Sequence, residues 1–128
     1  MMNFYTSYFS KLKSLEDLGY NNFVAVSGYI PSFYSNLMNT NNNFRRIIEL
    51  APKKEWFFDW KNGKLTNNDY IKLYYETVLN KLNVNEIAEK LGDKAVLLCY
   101  EKSDSFCHRH LIADWLNKNN YECNEIKF

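Results

Sequence analysis

The sequence predicts an α/β fold, a small, mostly parallel sheet of four to five strands flanked by helices, within one domain spanning 1–128. Three observations carry that prediction. Strand-like and helix-like segments alternate along the chain, which favours parallel strands joined by crossover helices. The run Ala95 to Tyr100 is continuously apolar at strand length, as in a central strand covered on both faces. Between Asn68 and Leu82, the residues Ile71, Tyr74, Tyr75, Val78, Leu79 and Leu82 fall on one helical face.

Taken in order, Asn3 to Phe9 is rich in Tyr, Phe and Thr and predicts a first strand; a short helix from Ser10 to Leu18 follows, stopped by Gly19. Phe23 to Val26 is a short apolar run bounded by Asn21-Asn22 and Ser27-Gly28, the profile of a buried strand ending in a turn, and Pro31 bars helical continuation through Ile30. Between Pro31 and Gly63 no element can be assigned, although an aromatic cluster, Trp56, Phe57, Phe58 and Trp60, stands out. After the helix over Asn68 to Leu82, a second one, Asn85 to Leu91, stops at Gly92. The apolar strand then leads through a polar loop, Glu101 to Ser105, into a helix over Phe106 to Asn117 with Leu111, Ile112, Trp115 and Leu116 as its core stripe. Tyr121 to Phe128 supplies a last, edge strand.

A chain of 128 residues suffices for one hydrophobic core, and 46% hydrophobic and 17% aromatic residues argue against disorder. A formal net charge of +1 gives no field to attract nucleic acid or anionic membrane, so any anion site must be local. No apolar run approaches the roughly 20 residues of a membrane span, and Met1 to Phe9 has no basic flank, so neither a span nor a signal peptide is expected. Three cysteines, an odd number in a chain that needs no staples, argue against a disulfide framework and for a reducing, cytoplasmic setting.

In open α/β sheets ligands bind beyond the carboxyl ends of the strands, which here are Thr6 to Tyr8, Ser27 to Tyr29 and Cys99 to Glu101. With Ser105 as N-cap, the amides of Cys107 and His108 would be unpaired donors at a helix start and, beside Arg109, would favour an anion or a thiolate. Cys107 is the candidate nucleophile, His108 and Glu101 are candidate proton carriers, and Arg109 is the candidate ligand clamp. Arg109 is one of three arginines against thirteen lysines, which suggests a need for the planar guanidinium, on an anion or on a carboxylate such as Glu101. Cys99, Tyr8, Ser27, Tyr29 and Tyr100 complete the expected ligand-binding set. The same residues also fit a plainer account, with Cys107 a small buried hydrophobe, His108 a satisfied core imidazole, Arg109 in a salt bridge and His110 paired with Asp114 on the polar face. Arg45-Arg46 is either a second anion patch or a solvated face.

Cys99, Cys107 and either His108 or His110 are zinc-compatible side chains, but their spacing matches no standard zinc module, so no metal is assigned. No Gly-rich phosphate loop of Walker or dinucleotide type exists, since Gly28 stands alone, so no nucleotide triphosphatase follows; no cofactor is assigned. Cys99 mimics the strand-end cysteine of a phosphatase or rhodanese, but Ser105 stands where a phosphatase needs Arg; the zinc deaminase signature is missing.

Leu97-Leu98-Cys99-Tyr100-Glu101-Lys102, Phe106-Cys107-His108-Arg109-His110-Leu111, Ala113 and Trp115-Leu116 together resemble the hallmark of the domain-of-unknown-function family 488. Tyr5 to Phe9, Ser27-Gly28-Tyr29 through Pro31, and the helix from Tyr74 to Leu82 are similar to the same family in order; Leu37 to Gly63 is not. The resemblance implies a small bacterial or phage-type cytoplasmic α/β domain, with Cys99, Glu101, Cys107, His108 and Arg109 as motif positions, and it implies no reaction. The expected ligand is a small anion or nucleotide. It is handled either by an enzyme acting on a nucleotide- or base-type substrate or by a non-catalytic binding module using the same helix start.

Overall fold

The fold is built on one sheet whose five strands all pair in parallel, in the order β3-β2-β4-β1-β5. The computed structural model describes residues 2–30, 32, 34, 43–100 and 105–128. The strands are β1 (Asn3–Tyr8), β2 (Phe23–Ala25), β3 (Phe44–Arg46), β4 (Val96–Cys99) and β5 (Glu122–Glu125). Helices α1 (Leu12–Asp17), α2 (Lys54–Lys61), α3 (Asn67–Thr77), α4 (Val84–Leu91) and α5 (His108–Lys118) supply its cover.

β4 lies mid-sheet between β2 and β1, and all four of its residues are buried, as its unbroken apolar run predicts. Side chains alternate across a strand, so Val96 and Leu98 enter one core with Phe23, Ala25, Leu12 and Leu15, under α1. Leu97 and Cys99 enter the opposite core with Tyr74, Leu91, Ile112 and Leu116, which come from α3, α4 and α5. Period two thus carries Cys99 to the face on which α5 packs.

Several ends follow from local chemistry. Gly19 and Gly92 adopt φ of +98° and +77°, where an L side chain would be strained, and they close α1 and α4 as their positions predict. Thr66 and Asp69 form a reciprocal capping box at the start of α3. Asn83 accepts the amides of Asn85 and Glu86 at 2.9 and 3.1 Å to start α4.

The stretch without a sequence assignment contributes the edge strand β3, a 3₁₀ turn over Ile48–Leu50 and α2. Arg45 is no anion patch: its guanidinium donates to Asn22 Oδ1 and to the carbonyls of Lys90 and Leu91, tying β3 to the end of α4. Arg46 donates to Gly28 O at 2.6 Å. Pro31 lies outside the described residues.

Candidate functional site

A cavity of about 580 Å³ opens beyond the carboxyl ends of β2 and β4. Ser27, Gly28 and Tyr29 line it after β2, Cys99 and Tyr100 at the end of β4, and Phe106, Cys107 and His108 on the entry to α5. Among the described residues it is also lined by Pro52 and, on α2 and α3, by Lys54, Phe57, Phe58, Trp60, Lys61 and Tyr70. The rings of Trp60, Tyr70 and Phe106 contact one another with centroids 4.8 to 5.6 Å apart, two of the three pairs edge to face. Tyr29 and Tyr100, 68% and 59% exposed, stand at the mouth with their rings 6.4 Å apart.

The entry to α5 differs from the sequence expectation. The helix begins at His108, and its N-cap is Cys107 in an extended conformation with no side-chain cap, not Ser105. The start is two residues later because Cys107 spans from the loop to the end of β4. The amides of Cys107 and His108 are therefore not the N2 and N3 donors of an anion cradle.

Cys107 meets Cys99 there, and the two are joined as a disulfide, while Cys123 is a free, buried thiol. The expectation of unpaired cysteines thus fails for this pair, because pairing depends on a strand end meeting a helix start, which spacing does not report. Burial, with help from Glu125 and Asp114, pushes the Cys123 thiol up to about 12, so it stays protonated and inert.

His108 is buried and its Nε2 lies 2.7 Å from Val26 O. A carbonyl only accepts, so Nε2 carries the proton and the Nδ1 lone pair points toward Cys107 Sγ, 3.8 Å away. Desolvation is the main reason the imidazole pKa falls to about 4, with the charge of Arg109 adding to it. His108 is neutral at pH 7, with the edge of Tyr74 packed on its ring.

Arg109 lines no part of the cavity. It is completely buried behind the floor, donating Nε and Nη2 to the two carboxylate oxygens of Glu125 at 3.1 and 2.9 Å. Nη1 lies 2.9 Å from Cys99 Sγ, and the guanidinium sits 5.7 Å from the centre of the Tyr8 ring. The fork is thus used, on a carboxylate near the chain's end and on a sulfur. Tyr8 belongs to this layer rather than to the cavity, and Thr6 donates to the same Glu125 at 2.5 Å. Ser27 Oγ donates to Tyr29 O at 2.6 Å, which shapes the loop after β2. His110 Nδ1 stands 4.0 Å from Glu125, and burial lowers its pKa. Glu101 lies outside the described residues.

The structure therefore gathers Cys99, Cys107, His108, Ser27, Tyr29 and Tyr100 around one cavity and sets Arg109 and Tyr8 behind it. The α2 wall was missed by sequence reasoning, although its signal was visible as the dense Trp56 to Trp60 aromatic cluster flanked by Lys54 and Lys61. Among the described residues no helix is long and apolar enough to cross a membrane. No curated protein and no solved structure matches the chain. A family model, DUF488-N3a, described as the active DUF488-N3 subclade, matches residues 11–120.

Proposed function

The chain belongs to the DUF488 family, and on that premise we propose that it is an enzyme acting on a small, planar, anionic substrate of nucleotide or nucleobase type. Cys107 is the nucleophile in the reduced protein. The observation that carries this reading is the orientation of His108: its Nε2–H is committed to Val26 O, so the Nδ1 lone pair faces the Cys107 sulfur at the cavity floor. The subclade's description as active agrees with a working site.

A neutral imidazole with a pKa near 4 does not hold a preformed thiolate–imidazolium pair. The thiol proton passes from Sγ to Nδ1 as the sulfur attacks an electrophilic carbon, and it returns to the leaving group when that bond breaks. Arg109, through Nη1 on Cys99 Sγ, favours the charged form of the neighbouring sulfur. The aromatic wall suits a planar ring, and Lys54 and Lys61 suit its negative charge.

The test is a thermal-shift and calorimetric screen of the reduced protein against nucleosides, nucleotides and sugar phosphates, followed by Cys107→Ser. A ligand at 100 times its Kd stabilises the native state by about 2.7 kcal/mol. The enzyme reading expects Cys107→Ser to keep binding and lose turnover. A ligand bound equally by both proteins and left unchanged by the wild type identifies a binding module instead, and a screen without any stabilising compound rejects the substrate class.

A further inference from the structure

We infer that Cys99, Cys107 and His108 form, in the reduced protein, a binding site for one thiophilic divalent cation of the zinc class, with its remaining coordination position facing the cavity. The inference goes beyond the enzymatic reading and does not rest on it. A bound ion would hold the Cys107 thiolate and so silence it as a nucleophile, making the metal-bound and thiol-reactive proteins alternative states of one centre.

Four features support the site. The two sulfurs and one imidazole nitrogen offer ligand atoms all within 4.8 Å of one another, and two thiolates with one imidazole are a zinc-type donor set. The His108 Nε2–H bond to Val26 O is the outer contact that metal-bound histidines usually make, and it leaves Nδ1 available as the donor. Arg109 Nη1 on Cys99 Sγ supplies a hydrogen bond to a ligand sulfur while its own charge is matched by Glu125, so two thiolates and a dication form a neutral centre. All three residues line the cavity, so the fourth position of a tetrahedral ion can take water or a ligand from it.

The conversion balances with a named reductant. A water-soluble phosphine gives two electrons to the disulfide and takes oxygen from water to become its oxide, leaving two thiols. Each thiol then releases one proton to solvent as the dication binds.

The experiment is anaerobic titration of the phosphine-reduced, chelator-treated 128-residue chain with Co²⁺. One equivalent should produce the intense near-ultraviolet thiolate-to-cobalt charge-transfer band and the visible bands of tetrahedral cobalt, both displaced by one equivalent of Zn²⁺. Cys99→Ser and Cys107→Ser should each remove half or more of the charge-transfer intensity, and Cys123→Ser should remove none. His108→Ala should weaken zinc by at least the roughly tenfold that loss of an outer-shell partner costs. Where a cysteine variant fails to fold, differential alkylation of the wild type decides: Zn²⁺ should protect Cys99 and Cys107 from alkylation. The inference is overturned by the absence of a charge-transfer band at stoichiometric cobalt, by a band that persists undiminished in Cys99→Ser, or by equal alkylation with and without zinc. None of these readouts requires a substrate, so failure here leaves the nucleotide screen independent.

Discussion

Arg109 is a buried cation whose partner, Glu125, reaches it from β5, and removing one member of such a pair leaves an uncompensated charge. Arg109→Ala should therefore cost about 3–5 kcal/mol in urea unfolding, far more than loss of an exposed salt bridge; a change under about 1 kcal/mol would show that the pair is idle. His108 makes a pH-dependent contribution. Its folded pKa of about 4 lies below the ordinary 6.5, so between those values the unfolded chain binds the extra proton and stability rises with pH. The contribution is fully present above about pH 6.5 and is lost as pH falls toward 4, on the order of 3 kcal/mol in total for the metal-free protein. Unfolding titrations across that window should lose this slope in His108→Gln; an unchanged slope would assign it to other groups.

At the scale of elements, α4 is held by its N-cap and by what it buries. Ile87, Ala88 and Leu91 face the core, and Asn83 satisfies two amides at the helix start. Asn83→Ala should destabilise the protein by about 1 kcal/mol without affecting the cavity, measured by thermal unfolding and by ligand affinity together. The converse holds on α2. Phe58 is 55% exposed at the cavity wall, so Phe58→Ala should change stability by less than about 0.5 kcal/mol yet weaken a stacked planar ligand by roughly 1–3 kcal/mol. Equal ligand affinity in wild type and Phe58→Ala would remove this wall from the recognition surface.

Across the whole molecule, charge is nearly balanced, at +1 over 128 residues, while the cavity carries Lys54 and Lys61 beside its rings. The proposed function has this local pair of cations select a small anion without making the entire surface polyanion-binding. The protein should accordingly leave a heparin column below about 0.2 M salt, whereas a protein that contacts many phosphates is held to higher salt. Retention well above that point would reveal a basic surface that the net charge conceals.

The elements whose signals are local were legible in the residues themselves. β4 is a run of apolar side chains, α3 and α5 have their stripes, and Gly19 and Gly92 mark stops that only their backbone freedom allows. The parallel sheet followed from the alternation of these elements, and the strand-end location of Cys99 beside a helix start carrying Cys107 and His108 followed from that sheet. Partnership was not legible. That Arg109 meets Glu125 16 residues later, that Val26 O fixes the His108 tautomer from 82 residues away, and that α2 walls the cavity are consequences of packing between elements distant in sequence. Residue types and periodicities report what a segment prefers by itself; which donor meets which acceptor depends on strand order and helix placement, and only the tertiary structure decides those.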